Sequence, residues 1–501
     1  MKALLLLAVL AASPAPATDP AALEVRAAEQ VNAAFVAAKL VPPMRDPGLS
    51  LAARDLATQL AAGKLDKSRL SDAVPAAISR AGAWDPAPRT LMLAGSAAEP
   101  LLQYLRAQPS LTEDRPDVMG VGIASSAGKL TLLVLFAQRY AELKPFPREL
   151  PVGGQGALDV TLKGKLGSPQ LVLTGPDGHA ETSTDAAASG QRLTAPIRFA
   201  QQGRYTIEVV GRDASGPRVA AIFGVVVGNA KDQADIDDPP EPADPMAKID
   251  AVLEHINKVR ARKHLPPLEH DHDLDVVALD HSVDMAKNHY FAHVSPTQGD
   301  LHARLQNRAA YVRAGENLGE AGGALAAERA IEASPAHLEN TLDPQFTRVG
   351  LALFPNQHAG GEVTLLLTEI FVTPPPKMDD PATAIAEAVN RARVGRKLPA
   401  LARDGILDRV AREHLKLMIG DGMPGGERDA QDAALEADPA LQAVAVDLFV
   451  GSVPDDALRS RNALSGGFNR VGVAAQVVNN KRYGSDRLWI CVLYGDVGAG
   501  R

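Results

Sequence analysis

Two segments of this chain share a series of residues at one constant spacing, and this internal similarity restricts the fold more than any other feature. The shared blocks are Asn257-x-x-Arg260 with Asn390-x-x-Arg393, Leu265-Pro266-x-Leu268 with Leu398-Pro399-x-Leu401, and Leu274-Asp275 with Leu407-Asp408. Each pair is separated by 133 positions (390 − 257 = 133). Residues 346–350 and 468–472 also match, at a spacing of 122 (468 − 346 = 122), so the second copy has a shorter loop. Segments that repeat in this way are expected to fold as copies of one domain.

A fainter copy opens the chain. Asn32, Leu40, Asp46, Leu49 and Ala53 each lie 225 positions before an equivalent residue of the middle copy (257 − 32 = 225). Every copy runs from helical periodicity into two β-rich segments near its end, which is typical of an α+β domain with helices packed on a small antiparallel sheet. We therefore predict three related α+β domains.

The remaining segments have a different character. Short alternating apolar runs separated by glycine-rich turns, at 157–162, 170–174, 204–210 and 219–223, predict a small all-β sandwich. An acidic, proline-rich stretch follows them and predicts an extended linker. The predicted organisation is a signal peptide at 1–17, α+β domains at 20–145, 247–373 and 381–497, a β-sandwich at 147–229 and a linker at 230–246.

The N-terminus has the features of an export signal. Met1-Lys2 is followed by an apolar run from Ala3 to Ala12 and by Ala15-Pro16-Ala17, a small-x-small cleavage site. No later run reaches the roughly 18 uninterrupted apolar residues of a membrane span. We expect a protein exported to the periplasm or the medium, without a membrane span.

Charge and cysteine content restrict the partners and the chemistry. The net charge of −8 and the pI near 5.9 argue against nucleic acid as a partner, because a polyanion binds basic surfaces. Cys491 is the sole cysteine, so no disulfide can form within the chain. It lies in an apolar run without basic neighbours, which predicts a buried strand residue rather than a reactive thiol.

Histidine is concentrated in the middle copy. Ten of the twelve histidines lie between His255 and His358. Three local signatures lie in the same window: Tyr290-Phe291-Ala292-His293-Val294-Ser295-Pro296, Gly315-Glu316-Asn317-Leu318 and Ser334-Pro335-Ala336-His337. Imidazole is the commonest metal ligand and carries protons near neutral pH. Chemistry or ligand binding is therefore expected in this copy.

With these signatures, the middle copy resembles the CAP superfamily (cysteine-rich secretory, antigen and pathogenesis-related proteins, or SCP domain) in its cysteine-free bacterial form. Seven blocks match in order: Asn257-x-x-Arg260, Leu265-Pro266-x-Leu268, Asp284-Met285-Ala286, residues 290–296, residues 315–318, Ser334-Pro335-Ala336-His337-x-x-Asn340 and Phe346-Thr347-x-Val349-Gly350. Ile331 and Ala336 stand where many relatives have Trp and Gly. The resemblance implies an α+β multidomain protein of CAP-like α-β-α sandwich repeats plus one small β-sandwich.

The resemblance also implies a surface cleft in which His293, Glu316 and His337 converge, with Asn317 beside them, able in some relatives to hold a divalent metal. Two imidazoles and one carboxylate would leave a coordination position open on zinc or another divalent cation. The three residues are 23 and 21 positions apart (316 − 293 and 337 − 316), too far for a local metal motif, so their convergence rests on the resemblance. A second carboxylate, present in eukaryotic relatives, has no clear match, since only Glu332 lies nearby.

Simpler roles are open for several of these residues. Glu316 beside Asn317 could cap a helix that begins near Leu318. Ser334-Pro335 looks like a helix start, which argues against Ser334 as a nucleophile. His281 continues the apolar spacing of its helix and is expected in the core. Seven further histidines are expected on the surface: His255, His264, His270, His272, His289, His302 and His358.

The flanking copies lack the histidines of the middle copy. In the last copy, Gly426 and Arg459 stand at the positions of His293 and His337, and Val446-Asp447-Leu448 replaces the Gly-Glu-Asn block. The first copy contains no histidine. These copies are expected to be structural or partner-binding modules.

Three functions remain open from the sequence. The first is an exported protein that binds an envelope, glycan, lipid or protein ligand through the His/Glu cleft, with or without a divalent metal. The second is a metal-dependent hydrolase of peptide or peptidoglycan, with Glu316 as metal ligand or base. Two histidines four apart with an intervening glutamate, the usual zinc-peptidase pairing, are absent from the sequence, which disfavours the hydrolase. The third is a purely structural multidomain scaffold.

Overall fold

The computed structural model describes residues 19–230, 241–306, 308–359 and 363–498. The predicted signal peptide and most of the predicted linker lie outside these residues. The described chain forms two compact units divided near residue 238, of which the first holds the N-terminal α+β domain and the β-sandwich, and the second holds the middle and last α+β domains. Every helix of the described chain is too short or too polar to cross a membrane.

The N-terminal domain packs helices on both faces of a four-stranded sheet. Its elements are α1 (Pro20–Ala37), β1 (Met44–Arg45), α2 (Pro47–Ala61), α3 (Leu70–Arg80), β2 (Arg89–Gly95), α4 (Ala98–Arg106), β3 (Val118–Ser126) and β4 (Lys129–Ala137). The strand order is β1-β3-β4-β2. Val31 and Phe35 of α1 belong to one apolar core, and Leu49 and Leu56 of α2 belong to a second, so the domain has three layers.

The predicted β-sandwich is confirmed. Its strands are β5 (Ala141–Leu143), β6 (Glu149–Leu150), β7 (Gln155–Leu162), β8 (Gly167–Thr174), β9 (Ala180–Thr182), β10 (Ala187–Ser189), β11 (Arg192–Arg198), β12 (Gly203–Asp213) and β13 (Gly216–Val227). They form two sheets, ordered β10-β11-β7-β5 and β6-β13-β12-β8-β9. Alternate residues of β7, namely Leu158, Val160 and Leu162, are buried in the shared core, as the period-two pattern predicts.

The middle domain is also a three-layer α-β-α sandwich. Its elements are α5 (Pro245–Arg262), β14 (Glu269–His270), α6 (His272–Asn288), α7 (Leu301–Leu305), β15 (Arg313–Ala321), α8 (Ala324–Glu332), α9 (Pro335–Leu342), β16 (Arg348–Gln357) and β17 (Val363–Thr373). Side chains of β17 alternate between the two faces. Phe371 lies in a core with Ile256 of α5, and Ile370 lies in a core with Leu274 of α6.

The last domain repeats this arrangement. Its elements are α10 (Pro381–Gly395), β18 (Ala402–Arg403), α11 (Gly405–Asp421), α12 (Glu427–Ala437), β19 (Ala443–Gly451), β20 (Arg470–Asn480) and β21 (Gly484–Asp496). Two short 3-10 helices, Pro454–Arg459 and Asn462–Leu464, precede β20 where the middle domain has α9.

The three α+β domains share one sheet topology. The orders β14-β16-β17-β15 and β18-β20-β21-β19 match that of the N-terminal sheet. The register also matches, because Glu269 pairs with Arg348 in the middle domain and Ala402 pairs with Arg470 in the last, at the spacings of 133 and 122. These short first strands run parallel to their neighbours, so the expectation of an antiparallel sheet is wrong for one strand in each domain. That strand leads directly into a helix instead of a hairpin, and a helical crossover permits parallel pairing.

The repeated Val-Gly pair marks a close approach between helix and sheet. A Cβ atom on Gly350 would lie 2.3 Å from the Cβ of Leu274, and one on Gly472 would lie 2.3 Å from the Cβ of Leu407. Real Cβ atoms do not approach so closely, so α6 and α11 can pack on their sheets only with glycine at these positions.

The repeated Asn-x-x-Arg motif builds a buried hydrogen-bond network. The Arg260 guanidinium donates to the carbonyl oxygens of Pro266, Thr341, Asp343 and Phe346. In the last domain Arg393 donates to the equivalent carbonyls of Pro399, Ala463, Ser465 and Phe468. Both arginines are almost fully buried, and each joins the first helix of its domain to carbonyl groups of segments distant in sequence.

The predicted linker extends too far toward the middle domain. Asp244 is the N-cap of α5 and accepts a hydrogen bond from the Ala247 N–H at 2.9 Å, while Pro245 is the first helical residue. Aspartate and proline are common in linkers, but they are also favoured at a helix N-cap and first turn. The composition of these residues is therefore compatible with either a linker or the start of a helix.

Candidate functional site

The candidate site lies at strand β15, on the edge of the middle sheet. Glu316 of β15 faces the layer of α6, whereas the next residue, Asn317, faces the layer of α8 and α9. The loop after α6, which carries His293, approaches this edge from one face. Helix α9, which carries His337, approaches it from the other.

Asp284 anchors the loop that carries His293. Its carboxylate accepts hydrogen bonds from Asn288 Nδ2 at 2.7 Å, Ser295 Oγ at 2.6 Å and Thr297 Oγ1 at 2.8 Å, and also from the Tyr290 hydroxyl. Burial and the bond to Asp284 raise the pKa of Tyr290 to about 12. The tyrosine and serine of the 290–296 signature are therefore positioning residues for the loop.

Two further contacts hold the backbone on either side of His293. The His281 Nε2 atom lies 3.1 Å from the Ala292 carbonyl oxygen, and Arg304 of α7 donates to the His293 carbonyl at 3.0 Å. Burial lowers the pKa of His281 to about 4, so this imidazole is neutral at pH 7 and donates from Nε2. The prediction of His281 as a core residue is confirmed by its complete burial.

His293, Glu316 and Arg304 form a connected polar group. The Nδ1 atom of His293 lies 2.9 Å from Glu316 Oε1, and Arg304 Nη2 lies 2.7 Å from Glu316 Oε2. Burial of the Glu316 carboxyl raises its pKa. The hydrogen bond from His293 and the charge of Arg304 together lower it by more, so the pKa of Glu316 lies below its ordinary value. Glu316 is therefore an ionised carboxylate, with Oε1 hydrogen-bonded to His293 and Oε2 in an ion pair with Arg304.

His337 completes the site from α9. Asn317 Nδ2 donates to the His337 carbonyl at 3.2 Å, which fixes this helix against β15. The ring centroids of His337 and His293 are 6.2 Å apart. Burial and the neighbouring His293 lower the pKa of His337 to about 3, so its ring is neutral at pH 7. Its Nδ1 atom is buried and has no hydrogen-bond partner among the described residues.

The two imidazoles fit a weak metal site better than the full trio does. Two imidazoles on one tetrahedral zinc have ring centroids roughly 5 Å apart, so the 6.2 Å separation of His293 and His337 would need a small side-chain rotation. Glu316 would have to release Arg304 or His293 to become a ligand. Among the described residues, three potential ligand atoms lie within 4.8 Å of one another at His270, His272 and Asp275, which are not residues of this site.

Several predicted roles are settled by the structure. Ser334 and Pro335 begin α9, as expected. The alternative of Glu316 as a helix cap is wrong, because residues 313–321 form a strand whose pairing with β17 decides the local structure. Asn317 is completely buried, so it positions α9 and does not line a cleft. Glu332 lies 2.9 Å from His255 Nε2, directed to α5.

The expectation of seven surface histidines is correct for four and wrong for three. His264, His272, His289 and His302 are exposed. His255, His270 and His358 are partly buried, and their imidazoles contact the carboxylates of Glu332, Asp275 and Glu113 respectively.

The last domain has no room for the site. A Cβ atom on Gly426 would lie 2.8 Å from Cε1 of His414, so a side chain there would strike the equivalent of His281. Arg459, at the position of His337, is largely exposed and pairs with Asp456 at 2.8 Å. The contact of His281 with the Ala292 carbonyl is retained, because His414 Nε2 lies 2.8 Å from the Gly425 carbonyl oxygen.

Sequence reasoning missed Arg304 and an acidic pair behind the site. Glu328 of α8 and Glu369 of β17 are both buried, and Glu369 accepts a hydrogen bond from Asn317 Nδ2 at 3.0 Å. Burial raises the pKa of both carboxyls, that of Glu328 well above its ordinary value because Glu369 is also close. A single glutamate within the apolar run of β17 was the available signal. The sequence contains no signal for the role of Arg304, since no motif links this residue to Glu316.

The middle domain thus belongs to a class of three-layer α-β-α domains with two imidazoles meeting at the sheet edge. Residues 253–372 match the model of the CAP family, described as the cysteine-rich secretory protein family. The predicted resemblance of the middle domain to the CAP superfamily is confirmed over these residues.

Similar proteins include two from Bacillus subtilis. Uncharacterized protein YkwD is 35% identical over 104 residues, and uncharacterized membrane protein YlbC is 33% identical over 105 residues. Each match covers 20% of this chain, and the chain spans 40% and 30% of the lengths of these relatives.

Two solved structures are also similar. An extracellular SCP-domain protein from Bacillus anthracis is 17% identical, covering 44% of this chain and 81% of its own with a TM-score of 0.23. A cysteine-rich secretory protein from Staphylococcus aureus is 14% identical, covering 47% and 89% with a TM-score of 0.21.

Proposed function

We propose that this protein is an exported binding protein whose CAP domain recognises an envelope or extracellular ligand through the face formed by His293 and His337. The observation that carries the proposal is that Glu316, Arg304 and Asn317 are all engaged in holding these two imidazoles or their backbone. A neutral imidazole can accept or donate one hydrogen bond, or bind a metal, and so suits recognition of a polar ligand.

The contacts of Glu316 favour binding over hydrolysis. A general base must present a free oxygen to water at a pKa near the working pH. Glu316 has a lowered pKa, and its oxygens are engaged by His293 and Arg304. These contacts do not suit Glu316 to act as the base of a metal-dependent hydrolase.

A divalent metal, zinc or a similar ion, is proposed as an accessory of the binding face. His293 and His337 would hold it, and Glu316 would orient His293 through Nδ1, as carboxylates commonly do for metal-binding imidazoles. The bound ion would supply an open coordination position for an anionic or carbonyl group of the ligand. With only two protein nitrogens the affinity is expected to be weak.

The proposal is tested with the tag-free full chain. Binding of purified peptidoglycan fragments, neutral glycans and phospholipid vesicles is measured by calorimetry with and without ZnCl2. The His293→Ala/His337→Ala variant is compared with His289→Asn, which changes an exposed histidine in a left-handed conformation that asparagine tolerates.

We expect at least one of these ligands to bind the wild type and the control, with an affinity that falls at least about tenfold in the double variant. Equal binding to wild type and double variant for every ligand would favour the structural scaffold and reject the proposal. Zinc-dependent cleavage of peptidoglycan or peptide, abolished in Glu316→Gln, would establish the hydrolase in its place.

A further inference from the structure

A second group of ligand atoms lies away from His293 and His337, where β14 leads into α6. His270 is the last residue of β14, His272 is the first residue of α6, and Asp275 lies one turn further along the helix. The Nε2 atom of His270 and the Nδ1 atom of His272 each lie 2.9 Å from an oxygen of Asp275. The ring centroids of the two histidines are 4.5 Å apart. Three potential ligand atoms thus converge within 4.8 Å.

The backbone holds these groups rigidly. His270 is fixed by the pairing of β14 with β16, in which it lies opposite Val349. The Leu351 N–H donates to Asp275 Oδ1 at 2.7 Å, which orients the carboxylate toward the imidazoles. The neighbouring Asp271 is engaged as the cap of α6 and by Arg348 at 3.3 Å.

The last domain has an equivalent carboxylate with a different partner. Asp408 is the equivalent of Asp275, and the Val473 N–H donates to it at 2.8 Å, as the Leu351 N–H does in the middle domain. There the position of His270 is occupied by Arg403, whose Nε lies 2.6 Å from Asp408 Oδ1. A permanent cation therefore neutralises the carboxylate of the last domain.

In the middle domain that arginine is replaced by His270, and the glycine at position 405 of the last domain is replaced by His272. Both imidazoles are directed at the carboxylate that the arginine would neutralise. Two imidazole nitrogens and one carboxylate oxygen are ligands that suit zinc, nickel or copper, and they leave coordination positions for water.

We propose that His270, His272 and Asp275 bind a divalent transition metal of the zinc class. The metal takes the place that the guanidinium of Arg403 occupies in the last domain. The His272 side chain is 76% exposed, so the ion can enter directly from solvent. Asp275 contributes the single negative charge, and its bond from Leu351 keeps it oriented when the ion is absent.

The test uses the tag-free full chain carrying His293→Ala/His337→Ala, so that the imidazoles of the other site cannot contribute. Zinc and nickel binding are measured by calorimetry. In this background His270→Arg/His272→Gly introduces the residues found at the same positions of the last domain, so folding should be retained, and circular dichroism checks it. His289→Asn is the matched histidine control, and Asp275→Asn removes the charge but keeps an acceptor for Leu351.

We expect the background protein and the His289→Asn control to bind one zinc ion, and the His270→Arg/His272→Gly variant to lose it. Asp275→Asn should weaken zinc binding by at least about tenfold. Anomalous scattering from a zinc-soaked crystal should place the ion between the two imidazoles. Unchanged zinc binding in the folded His270→Arg/His272→Gly variant, or an anomalous peak elsewhere, would overturn the proposal. The function proposed for His293 and His337 is unaffected by either result.

Discussion

The Nδ1 atom of His293 lies 2.9 Å from Oε1 of Glu316, and the other oxygen of that carboxylate lies 2.7 Å from the guanidinium of Arg304. The Glu316 and Arg304 side chains are only 3% and 2% exposed, so neither charge has water to replace its partner. Removing one partner of such a buried ion pair destabilises a protein more than replacing both partners with apolar residues.

Replacing Glu316 alone is therefore expected to destabilise the middle domain. Glu316→Leu leaves the Arg304 charge buried and unpaired, and should lower the free energy of unfolding by about 3 to 5 kcal/mol. Arg304→Leu should cost a similar amount, whereas the double variant should cost clearly less than the two losses combined. Hydrogen exchange of the β15 and β17 amides in the full chain measures these energies. Strictly additive losses would contradict a direct interaction between the two charges.

The equivalent arginines of the two domains provide a second prediction. Arg260→Met leaves four carbonyl oxygens without their donor, and should destabilise the middle domain by about 3 kcal/mol or more. Arg393→Met should destabilise the last domain by a similar amount, since its contacts are the same. Hydrogen exchange on α5 and α10 locates each effect. A large loss in one domain and none in the other would contradict the shared role.

Repetition made much of the fold predictable. The spacings of 133 and 122 placed equivalent residues in equivalent strands, because the loops that differ between copies lie outside the paired regions. The resemblance placed His293 and Glu316 in contact across 23 positions of sequence, a separation that no local pattern could bridge. Arg260 recurs as Arg393 in the sequence, and the structure explains the recurrence, because both guanidinium groups donate to equivalent carbonyl oxygens.

The remaining features depended on long-range packing. Residues 315–318 could begin a helix by local preference, but nine residues of pairing with β17 make them a strand. The partial burial of His270 was not predictable, because the pattern of a two-residue strand says nothing about a carboxylate on the helix that follows. Arg304 lies eleven residues after His293 (304 − 293) in a helix of five residues, too short to leave a periodic pattern.

The buried pair Glu328 and Glu369 predicts a pH-dependent stability of the middle domain. Their pKa values are raised by burial, that of Glu328 well above the ordinary 4.5. Well below pH 4.5 both carboxyls are protonated in the folded and unfolded states, and this contribution to stability is fully present. As the pH rises, the unfolded chain releases protons that the folded domain retains, so stability falls until the folded pKa is passed.

The slope should approach about 1.4 kcal/mol per pH unit for each retained proton. Glu328→Gln removes one titrating group and keeps nearly the same side-chain size, so the free energy of unfolding of this variant should fall less between pH 5 and pH 8. Hydrogen exchange of the β17 amides, corrected for the intrinsic pH dependence, measures the difference. Glu339→Gln, on the exposed side of α9, is the control and should follow the wild type.

The sole thiol of the chain offers a direct measure of opening in the last domain. Cys491 lies in β21, fully buried, and burial together with the nearby Asp447 raises its pKa to about 12. A thiol reagent reacts with the thiolate, so the folded domain should react only when β21 becomes exposed. Because such opening costs several kcal/mol, labelling of the native protein should be on the order of 10³-fold slower than in denaturant. Arg393→Met should accelerate this labelling and Arg260→Met should leave it unchanged, since the four carbonyl groups to which Arg260 donates belong to the middle domain. Rapid labelling of native wild-type protein would show that β21 is not held as the structure describes.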